Sequence, residues 1–259
     1  MPVSISASLL LTSLPLLVFS EWQSRSHRGT AIFKMLSSIA FLSSPLLLSS
    51  TEWSDYRRLI TLGLGFSLLG DFFLIPSRRE FYPLDSKATA RDKSEELGKV
   101  SISFQLGIVA FAVAHIAYTW AFLQDSRETY WTVFAATFVG TLGAGKWLGV
   151  IYPGAHSSLK SNALDLHISP DMRPLVAFYA VIIATMFAAA TSTSPSTVPL
   201  DWSRSRALGA AMFVVSDLFV AKNAFGRSSG PNSRGVLEIS MGYGLYFWAQ
   251  MVIAGTVVA

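Results

Sequence analysis

Two aspartates lie inside apolar runs of the chain. Asp71 lies in LGLGFSLLGDFFLIP, residues 62–76, and Asp217 lies in LGAAMFVVSDLFV, residues 208–220. An ionisable side chain inside a membrane-spanning segment costs roughly 2.5–3.5 kcal/mol on insertion scales, so such residues usually bind a ligand or carry protons. A helix–helix hydrogen bond is the structural alternative for each of them. The two carboxyl groups are therefore the first candidates for chemistry.

The composition is typical of a membrane protein. Hydrophobic residues make up 51% of the chain and charged residues only 14%, against about 25% charged in soluble domains. The mean hydropathy is +0.45 and the isoelectric point is near 9.4. Because the basic residues lie in short segments between apolar runs, no nucleic-acid partner is expected. The chain has no cysteine, which excludes disulfides and cysteine-based metal sites.

Eight segments are long and apolar enough to cross a bilayer core, which needs roughly 17–25 residues. Backbone groups in lipid must bond internally, so these segments are predicted to be helices. The predicted fold is an all-α integral membrane protein, one domain over residues 1–259. The first segment lacks a basic n-region and a small-residue cleavage site, so it is retained as a helix. The predicted spans are about 3–20, 30–49, 58–75, 101–123, 130–151, 174–191, 205–223 and 238–258.

The distribution of Lys and Arg orients the bundle. An even number of spans places both termini on one side. Segments 21–29, 76–100, 152–173 and 224–237 hold twelve Lys and Arg residues, whereas the opposite side holds five. Positive charge favours the cytoplasmic side. We therefore expect both termini to face the lumen or exterior, and in a eukaryotic host we expect the endoplasmic reticulum or another endomembrane.

Three ionisable residues share one predicted depth. Asp71 lies four residues before the end of its span, Asp217 about six before the end of its own, and Lys34 near the start of a span running the other way. The rise of a helix places the aspartates roughly 6–9 Å below the cytoplasmic edge. Lys222 follows Asp217 by five residues. Two carboxylates and an ammonium at one level indicate a site, although depth alone does not establish adjacency.

The surroundings of the two aspartates are alike. Residues 62–74 align without gaps to 208–220, which is consistent with two parallel four-helix repeats of a kind known in transporters. Small residues accompany both aspartates and permit close helix approach. Ser67 precedes Asp71 by four residues and shares its face, and Ser216 directly precedes Asp217.

Four segments together resemble the YhhN-like membrane family, whose eukaryotic members include the lysoplasmalogenases. They are SLLGDFFL, FQLGIVAFAVAHIAY, LGAAMFVVSDLFVAKNAF and YFWAQMVIAG. The resemblance extends from the second span to the C-terminus. One departure is that tandem tyrosines of the family appear here as Tyr246 and Phe247.

This resemblance implies hydrolysis of the vinyl ether bond of a lysoplasmalogen, giving a fatty aldehyde and a glycerophospho-base. Such a bond reacts by protonation at carbon, and water traps the oxocarbenium-like cation. Asp71 and Asp217 are the expected catalytic pair, as acid and carboxylate in either order. The expected partners are the lysophospholipid or ether lipid substrate and membrane lipid. No metal or organic cofactor is expected.

Further residues have expected roles around this pair. Lys34 either holds the lipid phosphate or biases one aspartate toward its ionised form, and Lys222 is a second candidate for the phosphate. Tyr246 and Gln250 share a helix face and are expected to orient water or the glycerol. The residues predicted to bind substrate are Lys34, Ser67, Ser216, Lys222, Tyr246 and Gln250.

His115 and Tyr118 share a face of the fourth span. His115 lies about 14 residues into that span, roughly 21 Å from the cytoplasmic edge and well below the aspartates. We therefore expect His115 and Tyr118 to have a structural or supporting role.

Three other functions remain open. Buried carboxylates also relay protons, so a proton-coupled transporter is one alternative, although no proline-broken helix pairs are present. A zinc-dependent hydrolase needs several intramembrane histidines, and this chain has one. A non-catalytic lipid-binding protein would use the same pocket as an enzyme.

Overall fold

A computed structural model describes residues 5–48, 52–76, 101–154, 161–195, 201–226 and 235–257, with the backbone alone for residues 195 and 201–205. Nine of the twelve basic residues used for orientation lie outside the described residues: six in segment 77–100, together with Lys160, Arg227 and Arg234.

The described residues form eight α-helices and one short β-ribbon. Each predicted span corresponds to one helix, with ends that differ by a few residues. The helices are α1 (Ile5–Trp22), α2 (His27–Leu46), α3 (Asp55–Phe73), α4 (Ile102–Gln124), α5 (Trp131–Leu148), α6 (Arg173–Ser192), α7 (Asp201–Phe225) and α8 (Val236–Ala254). Serine caps begin three of them, since Ser26, Ser54 and Ser101 each accept a backbone N–H of the first turn.

Among the described residues, five helices are long and apolar enough to cross a membrane by length and composition: α1, α2, α4, α6 and the part of α7 from Arg206 to Phe225. The other three are nearly as long but less apolar. Helix α3 carries four charged residues, and α5 and α8 are rich in glycine, polar and aromatic residues. Five helices of this length and composition indicate a helical membrane protein.

Successive helices alternate in direction. At one end of the bundle, the Ser103 hydroxyl of α4 donates to the Phe73 carbonyl of α3 at 2.9 Å, and the Tyr243 hydroxyl of α8 donates to Glu21 of α1 at 2.5 Å. At the opposite end, the hydroxyls of Ser6 and Ser43 are 2.9 Å apart. The start of α1 and the end of α8 therefore lie at the same end, as the even number of helices requires.

The packing order places α8 at the centre of the bundle. It contacts α7, α1, α2 and α3, whereas α5 packs chiefly against α6. Helix α4 lies between α3 and α6. The helices that carry Asp71 and Asp217, α3 and α7, both pack against α8.

Glycines allow α3 and α4 to approach closely. A Cβ atom on Gly63 would lie 2.3 Å from the Tyr118 ring, and one on Gly70 would lie 2.7 Å from the Phe111 ring. Gly65, on another face of α3, has no neighbour within 4 Å. Two of the small residues near Asp71 therefore serve helix packing, as the sequence predicts, and bring α3 against the aromatic side chains of α4.

The end of the bundle away from the aspartates is held by a buried cation. Arg206 of α7 is 2% exposed and forms an ion pair with Asp125 at the end of α4. Its Nε donates to the hydroxyl of Tyr56 at 3.0 Å, and that hydroxyl lies 2.6 Å from the hydroxyl of Thr256. These contacts join the ends of α3, α4, α7 and α8.

A two-stranded antiparallel ribbon lies at the same end. Strand β1 (Ser126–Thr129) follows α4, and β2 (Thr193–Pro195) follows α6. Glu128 pairs with Ser194 and Thr129 with Thr193. The ribbon is an addition to the predicted all-α fold, and it connects two loops that the sequence left unassigned.

Candidate functional site

Asp71 is held by donors from two neighbouring helices. Its Oδ2 accepts the hydroxyl of Ser38 from α2 and the hydroxyl of Tyr246 from α8, each at 2.7 Å. The Lys34 Nζ lies 3.6 Å from the other carboxylate oxygen. Asp71 is 2% exposed and Lys34 6%. The predicted grouping of Lys34, Asp71 and Tyr246 is therefore present, with α2, α3 and α8 each supplying one member.

One helical turn before Asp71 on α3, Ser67 belongs to a ring of three hydrogen-bonded side chains. The Tyr118 hydroxyl donates to Gln250 Oε1 at 2.8 Å, and Gln250 Nε2 donates to Ser67 Oγ at 2.9 Å. Ser67 Oγ and the Tyr118 hydroxyl are 3.2 Å apart. All three side chains are buried. Because their polar atoms are satisfied by one another, the set joins α3, α4 and α8 directly beside Asp71.

Asp217 has a different environment. Its Oδ2 accepts the hydroxyl of Tyr179 from α6 at 2.6 Å. Within the described residues Asp217 belongs to none of the ion pairs. The two aspartates are thus each hydrogen-bonded to a tyrosine, but among the described residues only Asp71 has a cation beside it.

Both aspartates line one cavity of about 780 Å³. Its walls come mainly from apolar side chains of α4, α5, α6 and α7, such as Phe111, Ile183 and Val214. Further lining residues carry charge or a hydroxyl: Glu21, Lys34, Thr137, Thr141, Tyr179, Glu238, Tyr243 and Tyr246. The arrangement is an apolar hollow with a few converging polar groups, which is typical of a small-molecule site.

With the geometry of the cavity and of its two aspartates described, the chain can be compared with known protein families. The sequence model of the YhhN family matches residues 29–257 of the chain. The chain belongs to the YhhN family. A search of curated proteins and a search of solved structures found no match.

In this YhhN-family protein, four residues predicted to bind substrate lie outside the cavity lining: Ser67, Ser216, Lys222 and Gln250. Ser67 and Gln250 are bonded to each other in the buried set described above. The Ser216 hydroxyl donates to the Phe213 carbonyl of its own helix at 2.7 Å. The Lys222 Nζ lies 3.0 Å from Glu238 Oε1, and Glu238 lines the cavity. Lys222 is therefore beside the site and held by an acidic lining residue, whereas Ser216 is directed at its own backbone.

His115 packs against the tyrosine that donates to Asp217. Its ring centroid is 5.7 Å from that of Tyr179, the tyrosine that donates to Asp217, and 4.4 Å from that of Phe213. His115 Nδ1 lies 2.6 Å from the Phe111 carbonyl, and Nε2 has no hydrogen-bond partner among the described residues.

The sequence analysis missed two residues that donate hydrogen bonds to the aspartates, Ser38 and Tyr179. It also missed the lining residues Glu21, Glu238 and Tyr243. Ser38 follows Lys34 by one helical turn, so the spacing on α2 contained a signal for it. Tyr179 lies in α6, and its contact with Asp217 depends on α6 packing against α7. No pattern along the chain indicates that packing.

Among the described residues, no group of three or more His, Asp or Glu side chains is arranged to hold a metal ion.

Proposed function

We propose that this YhhN-family protein is an intramembrane hydrolase that cleaves the vinyl ether bond of lysoplasmalogens. The observation that supports this most directly is that Asp71 and Asp217, from helices far apart in the chain, line one cavity. A carboxyl pair in a common hollow is the arrangement that acid-catalysed cleavage of an ether needs.

The cavity suits a lipid with one chain. Its volume of about 780 Å³ lies within the usual range of roughly 300–1,000 Å³ for small-molecule sites. Apolar walls from α4 to α7 offer surface for a hydrocarbon chain, and burying each CH₂ group contributes about 0.8 kcal/mol. The polar lining residues offer contacts to a headgroup.

The reaction proceeds through a cation. A carboxylic acid protonates the vinyl ether at its second carbon, and the adjacent carbon becomes an oxocarbenium-like centre. A carboxylate stabilises that cation and takes a proton from the water that attacks it. The resulting hemiacetal collapses to a fatty aldehyde and a glycerophospho-base. Asp71 and Asp217 are the proposed acid and carboxylate, and no cofactor takes part.

The remaining site residues act on binding and orientation. Lys34 lies beside Asp71 and lines the cavity, so it offers a charge to the carboxylate and to a lipid phosphate. Lys222 is a second phosphate contact near the headgroup. Tyr246 holds Asp71, and Gln250 with Ser67 and Tyr118 joins the helices that carry these residues. The geometry does not favour three of the predicted substrate contacts. Ser67 and Gln250 are fully buried outside the cavity lining, and the Ser216 hydroxyl is directed at Phe213.

We also propose that all eight helices span the membrane. Helices of 18 and 19 residues, such as α5 and α3, are roughly 27–29 Å long, close to the thickness of the hydrocarbon core. Each of the three less apolar helices exposes large apolar side chains, including Leu62 at 51%, Val139 at 67% and Met241 at 45%. In a bilayer these would face lipid.

We propose that the end of the bundle near the aspartates faces the cytoplasm, because the Lys and Arg residues are in excess there, and that both termini face the lumen or exterior. In a eukaryotic host the proposed location is the endoplasmic reticulum or another endomembrane. Glycosylation tags at the two termini test this orientation. If the tags at the termini are not glycosylated and a tag in segment 77–100 is, the opposite orientation holds.

The activity is tested on purified protein with lysoplasmenylethanolamine as substrate, by measuring release of the fatty aldehyde. We expect the Asp71→Asn and Asp217→Asn variants each to lose at least about a hundredfold in rate, the lower end of what general acid–base catalysis contributes. Asp55→Asn is the matched control, because Asp55 also lies in α3 but has a side chain that is 79% exposed at the far end. Near-normal turnover in both site variants would contradict the assignment.

Incubation with a mixture of lysolipids gives a second readout. We expect loss of vinyl ether lysolipids and no change in those with ester or saturated ether chains. Binding of lysolipids without any loss would indicate a non-catalytic lipid-binding protein, and acidification-driven uptake into liposomes would indicate a transporter.

A further inference from the structure

The two aspartates of the cavity receive different numbers of donors. Asp71 has two hydroxyl donors at 2.7 Å and the Lys34 ammonium at 3.6 Å. Hydrogen bonds to the ionised form and a nearby opposite charge both favour a carboxylate. The charged and titratable groups that face Asp71 are Lys34 from α2 and Tyr246 from α8, and the Tyr118 hydroxyl of α4 is directed at Gln250 instead.

Asp217 has one donor and, within the described residues, no ion pair. The Tyr179 hydroxyl of α6 reaches its Oδ2 at 2.6 Å. From α8, Glu238 also lines the cavity, but it is paired with Lys222 at 3.0 Å. A carboxyl group in an apolar site without a cation keeps its proton more readily than one that has a cation beside it.

We infer that the two groups have fixed and different roles: Asp217 is the proton donor, Asp71 is the carboxylate, and Tyr179 is a positioning residue for Asp217. Because Tyr179 donates to Oδ2, that oxygen is the carbonyl oxygen of the acid, and the transferable proton lies on Oδ1. The inference rests on the proposed function for its substrate. Its structural basis is the different set of donors at each carboxyl group.

The roles close into a balanced cycle. Asp217 gives its proton to the second carbon of the vinyl ether, and the electron pair of the carbon–carbon double bond forms the new C–H bond. Water adds its oxygen to the oxocarbenium carbon and loses a proton to Asp71. Asp71 then returns that proton to the departing glycerol oxygen as the C–O bond breaks. Asp217 takes the proton of the hemiacetal hydroxyl, and both groups regain their starting forms.

Infrared spectroscopy tests the assignment without relying on turnover. A protonated carboxyl group has a C=O stretch separate from the carboxylate bands, and the stretch shifts in heavy water. The purified protein is measured at neutral pH in a maltoside detergent, which has no ester carbonyl to overlap the band. We expect the difference spectrum of wild type minus Asp217→Asn to contain one protonated carboxyl band. We expect wild type minus Asp71→Asn to contain none.

The Tyr179→Phe variant distinguishes a tyrosine that positions Asp217 through its hydroxyl from one that only fills space between helices. Loss of the hydroxyl removes the donor at the carbonyl oxygen of Asp217, so the carboxyl band should remain and move to higher frequency. A Tyr179 that serves only packing would leave the band in place, because the phenylalanine ring keeps the packing. If Asp217→Asn does not fold, the shift of the carboxyl band in Tyr179→Phe still assigns that band to Asp217. Asp55→Asn is the control and should leave the band unchanged.

The outcomes distinguish this inference from the proposed function. A band that disappears in Asp71→Asn, or a wild-type protein without any protonated carboxyl band, would overturn the assignment of roles even if vinyl ethers are hydrolysed. Absence of aldehyde release from the wild-type protein would overturn the proposed function, while the spectrum would still report which carboxyl group holds a proton.

Discussion

The Tyr246→Phe substitution tests whether Asp71 must be held in place. The hydroxyl of Tyr246 donates to Asp71 Oδ2 at 2.7 Å, whereas its ring packs among Phe41, Phe213 and Phe247 with centroids 4.8–6.4 Å away. Phenylalanine keeps the ring contacts and removes only the donor. The change therefore leaves no cavity and isolates one hydrogen bond.

The size of the effect follows from the charge of the acceptor. A hydrogen bond to an ionised group contributes roughly 1.5–3 kcal/mol. Because about 1.36 kcal/mol corresponds to a tenfold change in rate, kcat/KM should fall roughly 10- to 150-fold if Asp71 must keep its orientation in the transition state. Aldehyde release from lysoplasmenylethanolamine measures kcat/KM, and thermal unfolding in detergent measures stability beside it.

Two comparisons sharpen this experiment. Ser38 donates to the same oxygen of Asp71, also at 2.7 Å, so Tyr246→Phe and Ser38→Ala should be non-additive, with a coupling of roughly 0.5–3 kcal/mol. Tyr56→Phe removes a comparable hydroxyl at the far end of the bundle, where the side chain bonds Thr256 and Arg206. It should lower stability and leave kcat/KM unchanged. A folded Tyr246→Phe variant with wild-type kcat/KM would refute the reasoning.

Two further predictions concern stability, measured by thermal unfolding in detergent. Gly63→Ala should destabilise the protein by roughly 1–3 kcal/mol, because its new Cβ would lie 2.3 Å from the Tyr118 ring. Gly65→Ala, in open space, should be neutral or slightly stabilising. Equal losses of stability in both variants would show that α3 and α4 are not in close contact at Gly63. Arg206→Gln should cost roughly 3–5 kcal/mol, because Arg206 is buried and its partner Asp125 is only 12% exposed, so the variant breaks a largely desolvated ion pair. Arg58→Gln removes an exposed pair and should cost less than about 1 kcal/mol. A small loss for Arg206→Gln would contradict its role in joining the helix ends.

The eight helices could be predicted from the chain because their signal is local. Each needs about 20 consecutive apolar residues, and such a segment can be recognised in the sequence without knowing what the helix contacts. All eight helices were predicted to span the membrane, but only five of the described helices meet the criteria of length and hydropathy. Helices α3, α5 and α8 fall short because they combine apolar residues with glycine, aromatic or charged ones. The β-ribbon escaped prediction because its strands are only four and three residues long and 63 positions separate their ends.

Part of the candidate site was also predictable. Asp71, Asp217 and Lys34 stand out because a charge in an apolar run costs free energy, and helical rise places them at similar depths. Rotation and neighbour order were not predictable. Tyr179 contacts Asp217 only because α6 packs against α7, and Ser216 turns back to its own helix although it adjoins Asp217 in the chain.

By itself, the sequence determined that this is a helical membrane protein with rare, costly charges, since hydropathy and charge are properties of each residue and its near neighbours. Only the tertiary structure decided that α8 lies between the helices bearing the two aspartates, that both carboxyl groups line one cavity, and that one has a cation and the other does not. Those features depend on which helix faces which. That choice is made by side-chain packing between segments distant in the chain, as where Gly63 and Gly70 admit the rings of Tyr118 and Phe111.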